Sequence, residues 1–121
     1  MKRTSADPGP ENVHEWRKRA KDLWYQLRLV RRAWPPLLGE MADQAHELAD
    51  LLGDHHDLAV LRADLDGRAA VGHREELGAL IGRRQEELVG DALELGGHLY
   101  AEKPQAFERR LRAYWKAWRA E

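Results

Sequence analysis

The sequence predicts an all-α protein, an antiparallel four-helix bundle, and three observations lead there. Apolar residues recur every three to four positions over long stretches, no segment alternates polar and apolar residues long enough to make a strand, and β-branched residues are scarce. At 121 residues the chain is long enough to bury one core unaided. It has no cysteine, which excludes disulfide staples, thiol redox chemistry and cysteine-based zinc sites.

Taken in order, residues 1–11, with Pro8, Gly9 and Pro10, read as a flexible leader, and residues 12–121 as the helical domain. Asn12 followed by Glu15 fits an N-cap with a capping-box acid, and the first helix then runs to Trp34, where Pro35 and Pro36 end it. A second helix spans Leu37 to Leu52, with Met41, Ala45, Leu48, Ala49 and Leu52 on its apolar side. Past Gly53 the apolar positions shift to Leu58, Leu61 and Leu65, which predicts a bend or short break there. The stretch DGRAAVG, Asp66 to Gly72, reads as a connection. The third helix covers His73 to Tyr100. Its glycines, Gly78, Gly82, Gly90, Gly96 and Gly97, weaken the helix but let neighbours approach closely. The fourth runs from Lys103 and Pro104 to Arg119, with Phe107, Leu111, Trp115 and Trp118 toward the core and Arg109, Arg112, Lys116 and Arg119 on another side.

The formal net charge is −1, but it is unevenly spread. Residues 1–34 carry nine Lys/Arg against four Asp/Glu, residues 35–100 five against fourteen, and residues 101–121 six against three. Basic ends around an acidic middle point to an anionic partner. No apolar run is long enough to cross a membrane, and MKRTSADPGPEN lacks the apolar core of a signal peptide, so the expected location is the cytoplasm.

The charge is most ordered in VHEWRKRAKDLWYQLRLVRR, Val13 to Arg32. At about 100° per residue, Val13, Trp16, Ala20, Leu23, Leu27, Val30 and Trp34 form a core face. His14, Arg17, Lys18, Lys21, Tyr25, Arg28 and Arg32 fall within roughly 60° of one direction, almost opposite. Like charges at this spacing cost a few tenths of a kcal/mol per pair, roughly 0.2–0.5, and no acid is interspersed to offset them. Arginine forks and lysine ammonium groups suit phosphate oxygens. An acidic strip, Glu40, Asp43, Glu47, Asp50 and Asp54, points away from the core on the second helix, so the two strips cannot pair along their whole length within one bundle, which leaves edge contacts or pairing with a second chain. Charge and spacing leave two readings open, a structural face or an anion site.

The pattern HxxRKxxKxxxY, formed by His14, Arg17, Lys18, Lys21 and Tyr25, is followed by LLGDHHDLAVLRADL (Leu51 to Leu65) and AEKPQAFERRLRAYWKAWR (Ala101 to Arg119). In this order the three blocks resemble the C-terminal half of a CHAD domain, the conserved histidine α-helical domain. The resemblance implies half of a CHAD-type architecture, a helical bundle that binds inorganic polyphosphate without catalysis and without a cofactor, on polyphosphate granules in the cytoplasm. By position it assigns phosphate contacts to His14, Arg17, Lys18 and Lys21. Arg28 and Arg32 join them by sharing the face, and Lys103, Arg109 and Arg110 as a second tier from the third block. Trp24 stands where the family has a basic residue and is expected to pack at the core edge. The family pairs two such bundles, so the facing wall of the groove is expected from a second copy or a second CHAD half.

Other chemistries compete. Nucleic-acid phosphates suit the same strip, but selectivity there needs aromatic stacking, and Trp16, Trp34, Trp115 and Trp118 read as core residues. His55, His56 and Asp57 are a phosphohydrolase-like metal signature, but adjacent histidines on a helix point about 100° apart and further ligands are needed. Glu75, Glu76, Glu86 and Glu87 read as solvated carboxylates.

Overall fold

The computed structural model of the chain describes residues 10–68 and 71–120. It is an all-α helical bundle with no strand among the described residues. Helix α1 (Pro10–Val30) tightens into a 3-10 turn at Arg31–Ala33. Trp34 is extended, with φ −160° and ψ 86°, because Pro35 disfavours a helical predecessor. The chain then re-enters a helical path through a π turn at Pro35–Gly39, anchored by the Leu38 amide donating to the Trp34 carbonyl at 2.9 Å. Helices α2 (Glu40–Arg68), α3 (Val71–Leu99) and α4 (Pro104–Ala120) follow.

Several boundaries differ from the sequence reading; of the expected connection, Asp66–Arg68 belong to α2 and Val71 and Gly72 to α3, because the helical repeat carries on through its glycines. Helix α1 starts at Pro10, so Asn12 lies inside it and is not its N-cap; proline is tolerated in a first turn, where its missing amide has no partner to lose. The rest of the expected leader lies outside the described residues, as do residues 69 and 70 of the expected connection. The short break allowed for at Gly53 does not occur: α2 runs through it as one helix of 29 residues. The shift of apolar positions past Gly53 reflects a change of neighbours instead. His55 is buried, and beyond it Val60 and Leu61 are exposed.

The core has two clusters. Val13, Trp16 and Ala20 of α1 meet Leu48, Ala49 and Leu52 of α2 and Val89 and Ala92 of α3. Leu27 and Ala33 meet Leu38, Ala42 and Ala45. Fully buried leucines such as Leu27, Leu48, Leu52 and Leu88 each contribute roughly 1.5–3 kcal/mol of transfer free energy. The order of these contacts reverses along the chain, so α1 and α2 fold back on each other as a hairpin. The start of α3 likewise meets the end of α2, where Arg74 donates to the Asp66 carbonyl at 3.0 Å.

Helix α4 packs against the Arg31–Ala33 turn and lays Phe107, Leu111, Tyr114 and Trp118 on the second cluster. Two expected core tryptophans are corrected here. Trp34 is 46% exposed because the extended backbone turns it off the α1 axis, and Trp115 is 37% exposed because Tyr114 occupies the inward position instead. Trp16 is buried, and Trp24 packs at the edge of the second cluster as its position in the sequence indicates.

Candidate functional site

The α1 strip is real as a surface feature. Lys18, Lys21, Arg28 and Arg32 are exposed, and His14 and Arg17 are half-buried at its head. Among the described residues none of its five permanent cations forms an ion pair. Elsewhere the cations of Arg84, Arg110 and Arg112 are paired to Glu87, Glu102 and Glu108.

The inner edge of the strip borders α2. Arg17, Lys21 and Trp24 line a groove together with His46, Ala49, Asp50, Gly53, Asp54 and Asp57. A second groove brings Arg28 and Arg31 beside Asp43 and His46. The acidic strip of α2 therefore meets the basic one along their shared edge, and the seam has a cationic wall and an anionic wall. His46 bridges them in part: its Nδ1 lies 3.3 Å from Asp50 and its ring 4.7 Å from Trp24. The Arg28 guanidinium lies over the same tryptophan ring, 4.9 Å from its centroid.

At the head of the strip the His14 ring stacks on His56 at 5.0 Å with 28° between planes. Its Nδ1 and the Nε of Arg17 are buried and have no hydrogen-bond partner among the described residues. Gly53 provides the space for Arg17, since a Cβ there would lie 3.3 Å from its Nε. The four residues therefore form one packed unit spanning α1 and α2.

The second-tier residues lie in a different neighbourhood. Lys103, just before α4, and Arg109 on it are exposed, and α4 packs over the C-terminal half of α1 and the following turn, not over its head. Arg110 is withdrawn from the candidate contacts. Its guanidinium closes on both Glu102 oxygens, at 2.8 to 3.1 Å, and donates to the Tyr114 hydroxyl at 3.0 Å. That hydrogen bonding to Glu102 raises the Arg110 pKa above its ordinary value, with burial opposing it and Tyr114 adding to it. A fork already filled by a carboxylate is not free for phosphate.

The His55–His56–Asp57 stretch divides between two interfaces. His56 faces His14 on α1, whereas His55 is buried, and its carbonyl accepts from the Gln85 side chain of α3 at 3.4 Å. Burial, reinforced by the neighbouring His56, pushes the His55 pKa below the ordinary 6.5. Among the described residues no group of three or more His, Asp or Glu side chains converges to hold a metal ion. No described helix is long and apolar enough to cross a membrane.

Sequence reasoning missed Arg31, His46 and His56 as neighbours of the strip. The available signal was the pair of glycines, Gly39 and Gly53, whose positions mirror Arg31 and Arg17 across the hairpin. Among known families, the model of the CHAD domain matches residues 1–66. The match takes in the first two sequence blocks and stops before the third, so Lys103 and Arg109 lie outside it. No curated protein and no solved structure matches the chain.

Proposed function

The chain belongs to the CHAD domain family, a domain linked in general to polyphosphate binding, and from that premise we propose that it binds inorganic polyphosphate without transforming it. The contacts are His14, Arg17, Lys18, Lys21 and Arg28 on α1 and Arg32 in the turn that follows it, with Lys103 and Arg109 as outlying cations. The observation that carries this reading is the unpaired strip. Five permanent charges run along α1 and the turn after it, and among the described residues no carboxylate closes on any of them, although Asp43, Asp50, Asp54 and Asp57 line the same seam. Binding combines charge-assisted hydrogen bonds with counterion release, so affinity falls steeply with salt and rises with polymer length.

Titration with long-chain polyphosphate at two salt concentrations tests this, comparing the wild type with a His14/Arg17/Lys21 triple alanine variant. The expected loss is about ten-fold or more at low salt, with a shallower salt dependence. Equal binding by the two proteins would remove the strip from the reading.

The partial exposure of Trp34 and Trp115 supports a second reading, single-stranded nucleic acid, because it offers aromatic surface in segments that also carry the exposed Arg31, Arg32 and Lys116. Competition separates the two. RNA that displaces long-chain polyphosphate at equal phosphate concentration favours the nucleic acid.

A further inference from the structure

We infer that Gly39 and Gly53 are seats for Arg31 and Arg17, and that the two seated guanidinium groups are fixed anion contacts about 21 Å apart that favour long polyphosphate chains over short ones. This rests on the polyphosphate reading above. The spacing follows from fourteen residues of helix at about 1.5 Å each. It adds Arg31 to the strip and gives the two glycines a role in positioning.

The geometry is the same at both seats. A Cβ on Gly53 would lie 3.3 Å from Arg17 Nε and 3.6 Å from its Cζ and Nη2. On Gly39 it would lie 3.0 Å from Arg31 Nε and 3.5 Å from the corresponding atoms. Each guanidinium therefore lies close over glycine backbone, where an added methyl group would push its Nε aside by a few tenths of an ångström. Fourteen residues separate the arginines, and fourteen separate the glycines in the opposite sense, as the antiparallel hairpin requires. Both glycines lie within helical backbone, where alanine is the better helix former, so close approach is the gain that offsets their weaker propensity.

The seats matter because no carboxylate orients these side chains. Arg17 Nε is buried without a partner, and neither arginine has an ion pair among the described residues, although Asp50, Asp54 and Asp57 line the groove of Arg17 and Asp43 that of Arg31. Arg110, by contrast, is oriented by Glu102 and neutralised by it. A glycine seat fixes the direction of an arginine while leaving its charge uncompensated. The rotamer entropy is then lost on folding and not on binding. Two such contacts at a set separation are bridged only by a ligand long enough to reach both, and a short oligophosphate engages one.

A built-in control exists. Arg62 lies over Gly78 and Gly82 in the α2–α3 seam, with its Nη2 3.6 Å from a Cβ on Gly78, away from the strip. The test is calorimetric titration of Gly39→Ala, Gly53→Ala, the double variant and Gly78→Ala with long-chain polyphosphate and with tripolyphosphate. The expected result is a loss of about three-fold for each seat variant and about ten-fold for the pair on the long chain. Tripolyphosphate binding falls by less than about two-fold, and Gly78→Ala matches the wild type. Helical content is expected to hold, and should a glycine variant unfold, Arg17→Lys and Arg31→Lys serve in its place, since they keep the charge and lose the planar fork. Long-chain binding at wild-type affinity in the folded seat variants overturns the inference and leaves the polyphosphate reading standing. A wild type that binds no polyphosphate at all overturns that reading, and the inference with it.

Discussion

Arginine serves opposite ends in two regions of this molecule. Along the α1–α2 seam, Arg17 and Arg31 lie on glycine backbone and keep their charge uncompensated. At the start of α4, Arg110 is gripped by Glu102, stacked near Phe107 and Tyr114, and its charge is cancelled. The first arrangement gives up helix propensity for accessible charge. The second gives up accessible charge for a tie between the loop after α3 and helix α4. The neighbour decides the role of a basic residue, not the residue type.

The sharpest way to break that comparison is to remove each arginine and read both binding and stability. Arg17→Ala is expected to weaken long-chain polyphosphate binding by about ten-fold, with unfolding free energy unchanged within about 0.5 kcal/mol, because it removes no ion pair. Arg110→Ala is expected to do the reverse. It should lower stability by about 1–2 kcal/mol in urea denaturation, through the lost Glu102 fork and the packed stem, while polyphosphate affinity stays at the wild-type value. An Arg110 variant that loses binding would show that α4 belongs to the site after all.

A smaller effect comes from pH. The His55 pKa is lowered in the folded chain by burial and by His56, so the folded state favours the neutral ring. Its stability contribution is complete above the ordinary value of 6.5 and is lost as pH falls below it toward the depressed folded-state value, because the unfolded chain takes up the proton first. Melting temperature is therefore expected to decline between about pH 7 and pH 5, and His55→Gln to flatten that decline. The smallest effect is expected at the exposed Arg112–Glu108 pair. Its removal by Arg112→Ala should cost no more than about 0.5 kcal/mol, measured by the same denaturation.

Much of the fold was legible because its signals are local. The double proline at Pro35 and Pro36 ends the first helical run in sequence and structure alike, and the core face of Val13, Trp16, Ala20 and Leu27 follows from periodicity alone. The direction of the strip was legible for the same reason. Gly53 misled because glycine within a helix has two meanings, a break or a close approach, and only the presence of Arg17 against it distinguishes them. Trp115 misled because it lies at the border of the apolar arc, where a shift of one residue to Tyr114 exchanges inside for outside.

The sequence by itself determined that the chain is helical, that Pro35 and Pro36 interrupt it, and that His14, Arg17, Lys18, Lys21, Arg28 and Arg32 follow one helical direction without an intervening acid. These depend on the helical repeat and on backbone sterics, which act over a few residues. Only the tertiary structure decided which cations stay unpaired, that Arg110 is spent on Glu102, that the aspartates of α2 wall the seam, and that Gly39 and Gly53 seat two arginines. Charge compensation and close contact join residues far apart in the chain, and their outcome is set by which helix faces lie side by side.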